Sequence, residues 1–555
     1  MTVMTGREAL MQVLNHEGVD FVFGLPGSTE LMFMDALVDH PEIKFILGLH
    51  EVIALGMAEG YSRMSGKVGL VNLHTYAGLA AAAPMLFNAQ LGGVPLVVTA
   101  GKQDTRLLLH EPHLAGDAAG LAAHLTKWSA EVTYAEDIPL VIQRAFKVAK
   151  QPPTGPVFIS LPVNVMEESL DYDYIPSKPL FTGLRPDSDS LIKAVELLAG
   201  AKKPVIVVEN GVARNNALAE AIKLAEMIGA RVYQPWQGDV NFPNHHPQYL
   251  GEFNTGNPAT RDMLQSVDVL VVIGAQLFAE AAFLPKPLLT AKTRVVQIDD
   301  NPWEIAKNYP ADAGILGNIK ISLTELIQSL QKQLTRGTLK TVEARIEEIA
   351  AEKKGLLSPF AEKDRQERDN YPISVSRLMQ EMKNTLPPGT VVVEEAPSCS
   401  STLFRIMEFT APLSFLRCRA GGSIGWGMPN ALGVKLAAPE RPVVAVVGDG
   451  SAIWSIQSLW TAAHYNLPVT YVICSNASYR ICKMGLRRKI GEKAKGRCLG
   501  MDFDQPRINF SQLAQSMGIS GQQVEKPEDL NRVLKSAMKL NKANLVEVYI
   551  EDDLK

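Results

Sequence analysis

Asp449 and Asn476 are the residues of this sequence whose types and spacing most directly imply chemistry. Asp449 sits in Gly448-Asp449-Gly450-Ser451, Asn476 follows Ser475, and 27 positions separate the two. One carboxylate, one amide oxygen and a nearby backbone carbonyl are hard oxygen donors, the kind Mg²⁺ uses when it also holds a phosphate. The apolar runs before them, Val443-Val444-Ala445-Val446-Val447 and Val469 to Cys474, read as buried parallel strands. Both residues therefore fall at strand carboxyl ends, where open α/β sheets bind ligands. The plainer alternative is a strand–turn–helix in which Gly-Asp-Gly is turn chemistry alone. An Asn correctly placed after its own strand weighs against it.

A second candidate lies about 400 residues earlier. Lys44-Phe45-Ile46-Leu47-Gly48-Leu49 reads as a strand, and His50-Glu51 leads into a helix-like run from Val52 to Tyr61. Taken alone, Glu51 is a first-turn acid that complements the helix dipole. Ser28, after Leu25-Pro26-Gly27, is by itself a turn serine. His74, after Asn72-Leu73, is by itself a buried histidine with its bonds satisfied, and Ile424 is core.

The elements that must position these residues form three α/β blocks. The first, 1–180, alternates helices with strands at Phe21-Val22-Phe23, Lys44 to Leu49, Val68 to Leu73, Leu96 to Ala100 and Val157 to Leu161. The second, 190–335, contains Pro204 to Val208, Val267 to Gly274 and Arg294 to Asp299, the pattern of a small doubly wound sheet. The charged run Lys340 to Arg368 reads as a solvated linker helix, and the third block, 370–555, carries Gly-Asp-Gly. The expected fold class is α/β, with three doubly wound domains and mainly parallel sheets. A length of 555 residues suits three or four domains, and 46% hydrophobic residues supply large cores.

A net charge of −4 gives no global basic bias toward nucleic acid. Met1-Thr2-Val3-Met4 reads as running straight into a helix, without a charged-then-apolar leader. Tyr76 to Gly101 has low charge, but Pro84, Asn88 and Gln90 mark it as buried helix and strand rather than a membrane span. Five cysteines (Cys399, Cys418, Cys474, Cys482, Cys498) form no Cys-x-x-Cys, which fits a reduced, cytoplasmic protein.

Gly448-Asp449-Gly450-Ser451 with Asn476, and Glu51 after its strand, resemble the motifs of thiamine diphosphate (ThDP) enzymes of the decarboxylase and acetolactate synthase superfamily. The likeness is greatest to benzoylformate decarboxylases. It is carried by Leu25-Pro26-Gly27-Ser28, Asn72-Leu73-His74, Lys127-Trp128-Ser129, Gly421-Gly422-Ser423-Ile424-Gly425, Leu459-Trp460-Thr461-Ala462-Ala463 and Tyr465-Asn466-Leu467-Pro468. The resemblance implies a pyrimidine-binding domain (1–180), a central Rossmann-like domain (190–335) and a diphosphate-binding domain (370–555). It implies Mg²⁺ held by Asp449, Asn476 and the Ser478 carbonyl. Glu51 would activate the cofactor by bonding its aminopyrimidine, so that the cofactor serves as electron sink while the protein supplies orientation and electrostatics. Ser28 would hold a substrate carboxylate, and His74 would relay protons, a task suited to histidine's near-neutral titration. Ile424 would prop the bent cofactor and the Gly422 carbonyl would accept from it. Ser398, Cys399, Ser400, Gly450, Ser451 and Tyr479 would line it, with helix amino-termini serving the diphosphate. The resemblance further implies a homodimer or homotetramer with sites at the dimer interface.

This chain departs from the pattern in three places. Leu277 to Pro285 lacks the second pocket histidine of benzoylformate decarboxylases, for which His110 or His113 are the available substitutes. Arg480, Ile481 and Lys483 replace small and aromatic pocket residues. Arg480, Lys483, Arg487, Arg488, Lys489, Lys493, Lys495 and Arg497 form a basic cluster opposed in the run only by Glu492. Such a run is most simply a solvated face; beside a cofactor it would suit a polyanionic acyl-CoA.

The expected activity is non-oxidative decarboxylation of a 2-oxo acid, with aldehyde capture (carboligation) as a branch. A 2-hydroxyacyl-CoA lyase or oxalyl-CoA decarboxylase type is the alternative. A non-catalytic ThDP-binding subunit is disfavoured by the intact Glu51, Asp449 and Asn476. Asp299-Asp300 resembles a ribose-binding acid, yet Glu209-Asn210-Gly211-Val212-Ala213 is no dinucleotide fingerprint. The central domain is therefore read as structural, with a bound nucleotide as the lesser option, and a redox protein is disfavoured.

Overall fold

The computed structural model describes residues 2–178, 183–236, 238–278, 283 and 286–552. The chain is mixed α/β, with three six-stranded sheets among the described residues. Its contacts divide it into two units: Met1–Pro179, Asp369–Ser400 and Cys418–Lys555 form unit 1, and Leu180–Arg368 with Ser401–Arg417 form unit 2.

Unit 1 opens with a strand where the sequence implied a helix. Strand β1 (Thr2–Thr5) precedes the helix Gly6–His16. Thr5 stops that helix from extending backwards: its hydroxyl accepts from Glu8 N, and the Glu8 carboxylate accepts from Thr5 N, a reciprocal cap. The residues before the cap pair antiparallel with a strand some 165 positions later, a partner that local pattern does not reveal.

The first large sheet takes β2 (Phe21–Gly24), β3 (Lys44–Leu47), β4 (Gly69–Leu73), β5 (Leu96–Lys102), β6 (Trp128–Glu131) and β7 (Val157–Pro162) in the order β3-β2-β4-β5-β7-β6, parallel throughout. Strand β8 (Ser169–Tyr172) is the partner of β1. Buried Val22, Leu70, Val97 and Val157 put one face of this sheet into an apolar core. The strand order reverses between β2 and β4. Crossover connections leave in opposite directions there and open a crevice at the carboxyl ends.

Unit 2 is built on β9 (Pro204–Val208), β10 (Arg231–Gln234), β11 (Tyr249–Glu252), β12 (Val269–Ile273), β13 (Arg294–Asp299) and β14 (Ala313–Leu316). Their order, β11-β10-β9-β12-β13-β14, is the 3-2-1-4-5-6 arrangement of doubly wound sheets. The charged run forms the 31-residue helix Arg336–Gln366. It is solvated along most of its length, docks through buried Val342 and Ile349, and pairs Glu348 and Glu352 with Arg231.

The carboxyl-terminal part of unit 1 holds β15 (Val391–Glu395), β17 (Val443–Gly448), β18 (Val469–Ser475), β19 (Ser520–Val524) and β20 (Asn544–Tyr549); the short β16 (Phe415–Arg417) falls in unit 2. The parallel order β15-β17-β18-β20-β19 repeats that of β2-β4-β5-β7-β6, so the similar α/β character of the two blocks extends to topology. The reversal here falls beside β15 and β17.

The helix Glu51–Ser65 is buried on every side from Val52 to Arg63. It lies backbone to backbone against the helix Gly427–Ala437. An ideal Cβ on Gly60 would stand 2.2 Å from Asn430 O, and one on Gly433 only 1.9 Å from Met57 O. Glycine alone permits this approach. As expected, Tyr76 to Gly101 divides into the helix Thr75–Leu91 and β5. No helix among the described residues is long and apolar enough to cross a membrane.

Candidate functional site

Asp449 and Asn476 meet as their spacing implied. Asp449 follows β17, Asn476 follows the neighbouring β18, and both are buried. Asp449 Oδ2 accepts from Asn476 N (2.8 Å) and Ala477 N (2.6 Å), and Oδ1 accepts from Gly450 N (2.8 Å). Burial pushes the Asp449 carboxyl up to about 6, against the pull of those backbone N–H groups. No basic side chain hydrogen-bonds to it among the described residues. Asn476 Oδ1 accepts from Ser478 N (3.0 Å), which folds the loop so that Asn476 and Ser478 lie beside the carboxylate. A cation at this point would hold Asp449 ionised, and the donor set, one carboxylate with amide and carbonyl oxygens, suits Mg²⁺. The described residues contain no cluster of three or more His, Cys, Asp or Glu side chains placed for a metal, so thiolate or imidazole coordination finds no framework there.

The lining residues are placed around this point. The Tyr479 ring lies against Gly450, whose ideal Cβ would stand 2.7 Å from it, and packs edge-on to Phe503. Ser451 is buried at the start of the turn. Ser398 is half-buried, with its carbonyl near the Arg480 guanidinium, while Cys399 and Ser400 are buried behind it. The Ser400 hydroxyl turns inward to Glu394 Oε1 (2.6 Å), and its backbone N–H donates to Ala396 O (3.1 Å).

Glu51 begins its helix at a cap made by His50, whose Nδ1 accepts from Val52 N (3.2 Å). Gly78, one turn into the helix Thr75–Leu91, lies between it and His74. An ideal Cβ there would stand 3.2 Å from Glu51 Oε1 and 3.6 Å from His74 Cβ. The missing side chain thus gives the carboxylate room near the start of that helix. His74 ends β4 and Ser28 follows β2, so the two flank the crevice where the strand order reverses. Ser28 is exposed. The His74 ring Nδ1 lies 2.7 Å from Glu30 Oε2, a buried acid that the motif reading passed over.

The loop carrying Gly422 and Ile424 is held from two sides. Asn88 Nδ2 donates to Ser423 O (2.9 Å), and Asn88 Oδ1 accepts from Ser423 N (3.1 Å). Glu395, at the end of β15, accepts from Gly425 N (2.8 Å) and Gly427 N (2.6 Å), and burial pushes its carboxyl up to about 7. Gly422 has φ +75° and nothing within 4 Å of an ideal Cβ, so its backbone borders open space that a group could fill. Ile424 is half-buried beside it. Asn88 and Glu395 were also missed; a buried polar residue amid apolar neighbours was the only signal.

One expectation from the sequence changes. Lys483 does not belong to the exposed basic cluster. It is buried and ion-paired with Asp502 (2.5 Å) and Asp552 (2.9 Å), acids from outside the run, and Asp552 also accepts from the Ser478 hydroxyl (2.8 Å). These bonds hold Lys483 above its ordinary range against its desolvation. Arg487 pairs with Glu492, and Arg488, Lys489, Lys493, Lys495 and Arg497 remain exposed. The His110 and His113 rings are exposed, and the structure gives neither a hydrogen bond among the described residues; His113 contributes only its carbonyl, to Gln103. Of the stretch Leu277 to Pro285, residues 279–282, 284 and 285 lie outside the described residues.

At the carboxyl edge of the central sheet, Asp300 is engaged by Arg214 (3.5 Å) and Asn215 Nδ2 (2.8 Å). Gly211 and Gly274 serve packing, since an ideal Cβ on Gly211 would stand 2.4 Å from Gly274 Cα. Burial raises Glu209 and Asp299 to about 7 each.

Two topologically related sheets with acids and amides gathered at their carboxyl edges, in a chain that also carries a doubly wound sheet, have the character of a cofactor-dependent α/β enzyme. Three sequence families match in order: "Thiamine pyrophosphate enzyme, N-terminal TPP binding domain" over residues 4–121, the central domain over 191–326, and the C-terminal TPP binding domain over 397–548. Benzoylformate decarboxylase of Pseudomonas aeruginosa is 30% identical over 549 residues, 98% of both chains. A probable acetolactate synthase large subunit of Methanococcus aeolicus is 28% identical, covering 99% of this chain and 92% of its own. Among solved structures, a thiamine diphosphate-dependent 4-hydroxybenzoylformate decarboxylase of Rhodococcus jostii superposes with a TM-score of 0.86 at 29% identity over all of both chains. Benzoylformate decarboxylase of Polynucleobacter necessarius gives 0.86 at 26% over 99% of each. The chain belongs to the thiamine pyrophosphate enzyme family, and it is a thiamine diphosphate-dependent enzyme.

Proposed function

We propose that this chain is a ThDP- and Mg²⁺-dependent carbon–carbon lyase that decarboxylates a benzoylformate-like 2-oxo acid, with carboligation as a side branch. The observation that carries this reading is the gathering of Glu51, His74 and Ser28 at one sheet edge in a chain related along its whole length to a benzoylformate decarboxylase. Residues 1–180 are assigned to the pyrimidine end of the cofactor, 190–335 to the central domain and 370–555 to the diphosphate. When bound, the cofactor supplies the electron sink that accepts the pair left by departing CO₂. Asp449, Asn476 and the Ser478 carbonyl would hold Mg²⁺ against the diphosphate. Glu51 would hold a proton at the aminopyrimidine, with Gly422 O accepting from the same ring. Ser28 would donate to the substrate carboxylate, and His74 would move the proton that completes the product. The half-buried Ile424 would press on the cofactor from the side.

A second copy of the chain is proposed to complete the site. The helix Thr75–Leu91, which starts next to His74, exposes Tyr76, Ala80, Pro84, Phe87 and Leu91, an apolar stripe at helical spacing. Trp454, five residues after Asp449, is also more than half exposed. Such surface marks an interface, and a homodimer, paired into a tetramer, would cover it.

The exposed cations Arg488, Lys489, Lys493 and Lys495 favour a second reading, an acyl-CoA lyase, although the loss of Lys483 weakens it. Incubation with ThDP, Mg²⁺ and a panel of 2-oxo acids and acyl-CoA thioesters tests both. CO₂ and aldehyde from an aryl 2-oxo acid are expected. Cleavage of a CoA ester with no turnover of any 2-oxo acid would replace the first reading by the second.

A further inference from the structure

We propose that Glu30 is the positioning residue of His74, fixing which ring nitrogen faces the substrate; the inference rests on the reading of His74 as the proton relay. Glu30 is 1% exposed. Its Oε1 accepts from Gly101 N (2.8 Å) and the Thr29 hydroxyl (2.8 Å), and its Oε2 accepts from Gly27 N (3.0 Å) and faces His74 Nδ1 at 2.7 Å. A carboxylate offers about four acceptor positions. The N–H groups of Gly27 and Gly101 and the Thr29 hydroxyl donate to three of these, and the remaining contact, to His74, is assigned to an Nδ1–H that donates to Glu30, with the Thr29 hydroxyl oxygen 3.3 Å from the same nitrogen. The proton on Nδ1 leaves Nε2 as the nitrogen available to a substrate, and Nε2 has no hydrogen bond among the described residues.

The ring is confined from other sides as well. An ideal Cβ on Gly27 would stand 2.0 Å from His74 Nδ1, so only glycine at that position admits the imidazole. Thr75, the next residue, has φ +52°, an uncommon backbone for a β-branched side chain. This is local strain of the kind retained where a side chain must be aimed. The step served is a proton transfer through Nε2 alone. Nε2 takes a proton from the reacting substrate atom or returns one to it, while Nδ1 keeps its own in the bond to Glu30. The arrangement parallels the buried acid that holds a catalytic histidine in its working tautomer.

The test uses the full chain with ThDP, Mg²⁺ and benzoylformate. Glu30→Gln keeps the size and one acceptor oxygen but presents an amide to Nδ1. It is expected to lower kcat by roughly 10²–10⁴-fold with KM changed less than about threefold. In a His74→Ala background the same substitution is expected to cost less than about twofold, because its effect passes through the imidazole. Independently, ¹⁵N spectra of histidine-labelled wild-type enzyme, with the His74 signal identified by its loss in His74→Ala, should show the proton on Nδ1. That measurement decides the matter even if Glu30→Gln fails to fold. A proton on Nε2, or an equal loss with and without His74, overturns the proposal. Wild-type turnover in His74→Ala overturns instead the relay reading on which it rests, and is told apart because the tautomer is read separately.

Discussion

At the scale of single residues, this site is a problem of keeping carboxylates in useful states inside a protein. Asp449 is buried, and its hydrogen bonds come from backbone N–H groups, an arrangement that would accommodate a cation. Glu51 sits at a helix amino-terminus with space cleared by Gly78, and its nearest basic group is the His50 ring, whose Nδ1 lies 3.9 Å from Oε2. Glu51→Gln should therefore leave ThDP affinity within a few-fold by calorimetry. It should slow hydrogen–deuterium exchange at the thiazolium carbon by roughly 10²–10⁴-fold. Wild-type exchange in this variant would remove Glu51 from the activating role. Asp449, Asn476 and Glu51 were legible in the sequence because each closes its own apolar run. Glu30 was not: it lies 44 positions from His74, and their contact exists only because β2 and β4 are neighbours.

At the scale of elements, the site depends on how closely helices and strands approach. Glycines at 60 and 433 let the helix that starts at Glu51 touch the helix Gly427–Ala437. Gly433→Ala puts a methyl into the Met57 carbonyl and should push the two apart. A loss of about 1–3 kcal/mol in denaturant unfolding is expected, together with weaker ThDP binding as Glu51 shifts. Unchanged stability would show that the pair has room to spare. The central sheet has a different sensitivity. Burial raises Glu209 from 4.5 to about 7, so the folded state holds a proton that the unfolded chain releases above its ordinary value. The associated stability is fully present below about pH 4.5 and is lost as pH rises through about 7. Buried Asp299 acts in the same direction. Thermal unfolding should therefore show a central-domain transition that falls between pH 5 and 8. Glu209→Gln should flatten that slope by on the order of 3 kcal/mol. A slope unchanged in the variant would assign the pH dependence elsewhere.

At the scale of the whole molecule, the apolar stripe from Tyr76 to Leu91 bears on whether one chain suffices. If a second copy covers it and shares the site, Glu51 of one chain serves the cofactor held by Asp449 of the other. Glu51→Gln and Asp449→Ala homo-oligomers should each be inactive. Mixed after subunit exchange, they should recover part of the activity, because one of the two sites in a mixed dimer receives both intact residues. Absence of recovery, with exchange verified by mass spectrometry, would place the site within one chain.

The sequence by itself determined the class of fold and the part of the candidate site written in local signals. Apolar runs ending in Gly-Asp-Gly, Ser-Asn or His-Glu encode strand, edge and ligand-facing residue within a few positions, because a buried strand must end where polar chain begins. The long charged helix was visible for the same reason. What only the tertiary structure decided are contacts between distant segments. The opening residues form a strand because β8 is there to pair with them. Lys483 is a buried ion-pair residue because Asp502 and Asp552 come back to it. Asn88 and Glu395 hold the Gly422–Ile424 loop from elements far away in sequence. In each case the sign of a residue's contribution depends on what surrounds it. Burial and partnership of a charge are set by which elements pack together, which the side chain's own neighbours in sequence do not specify.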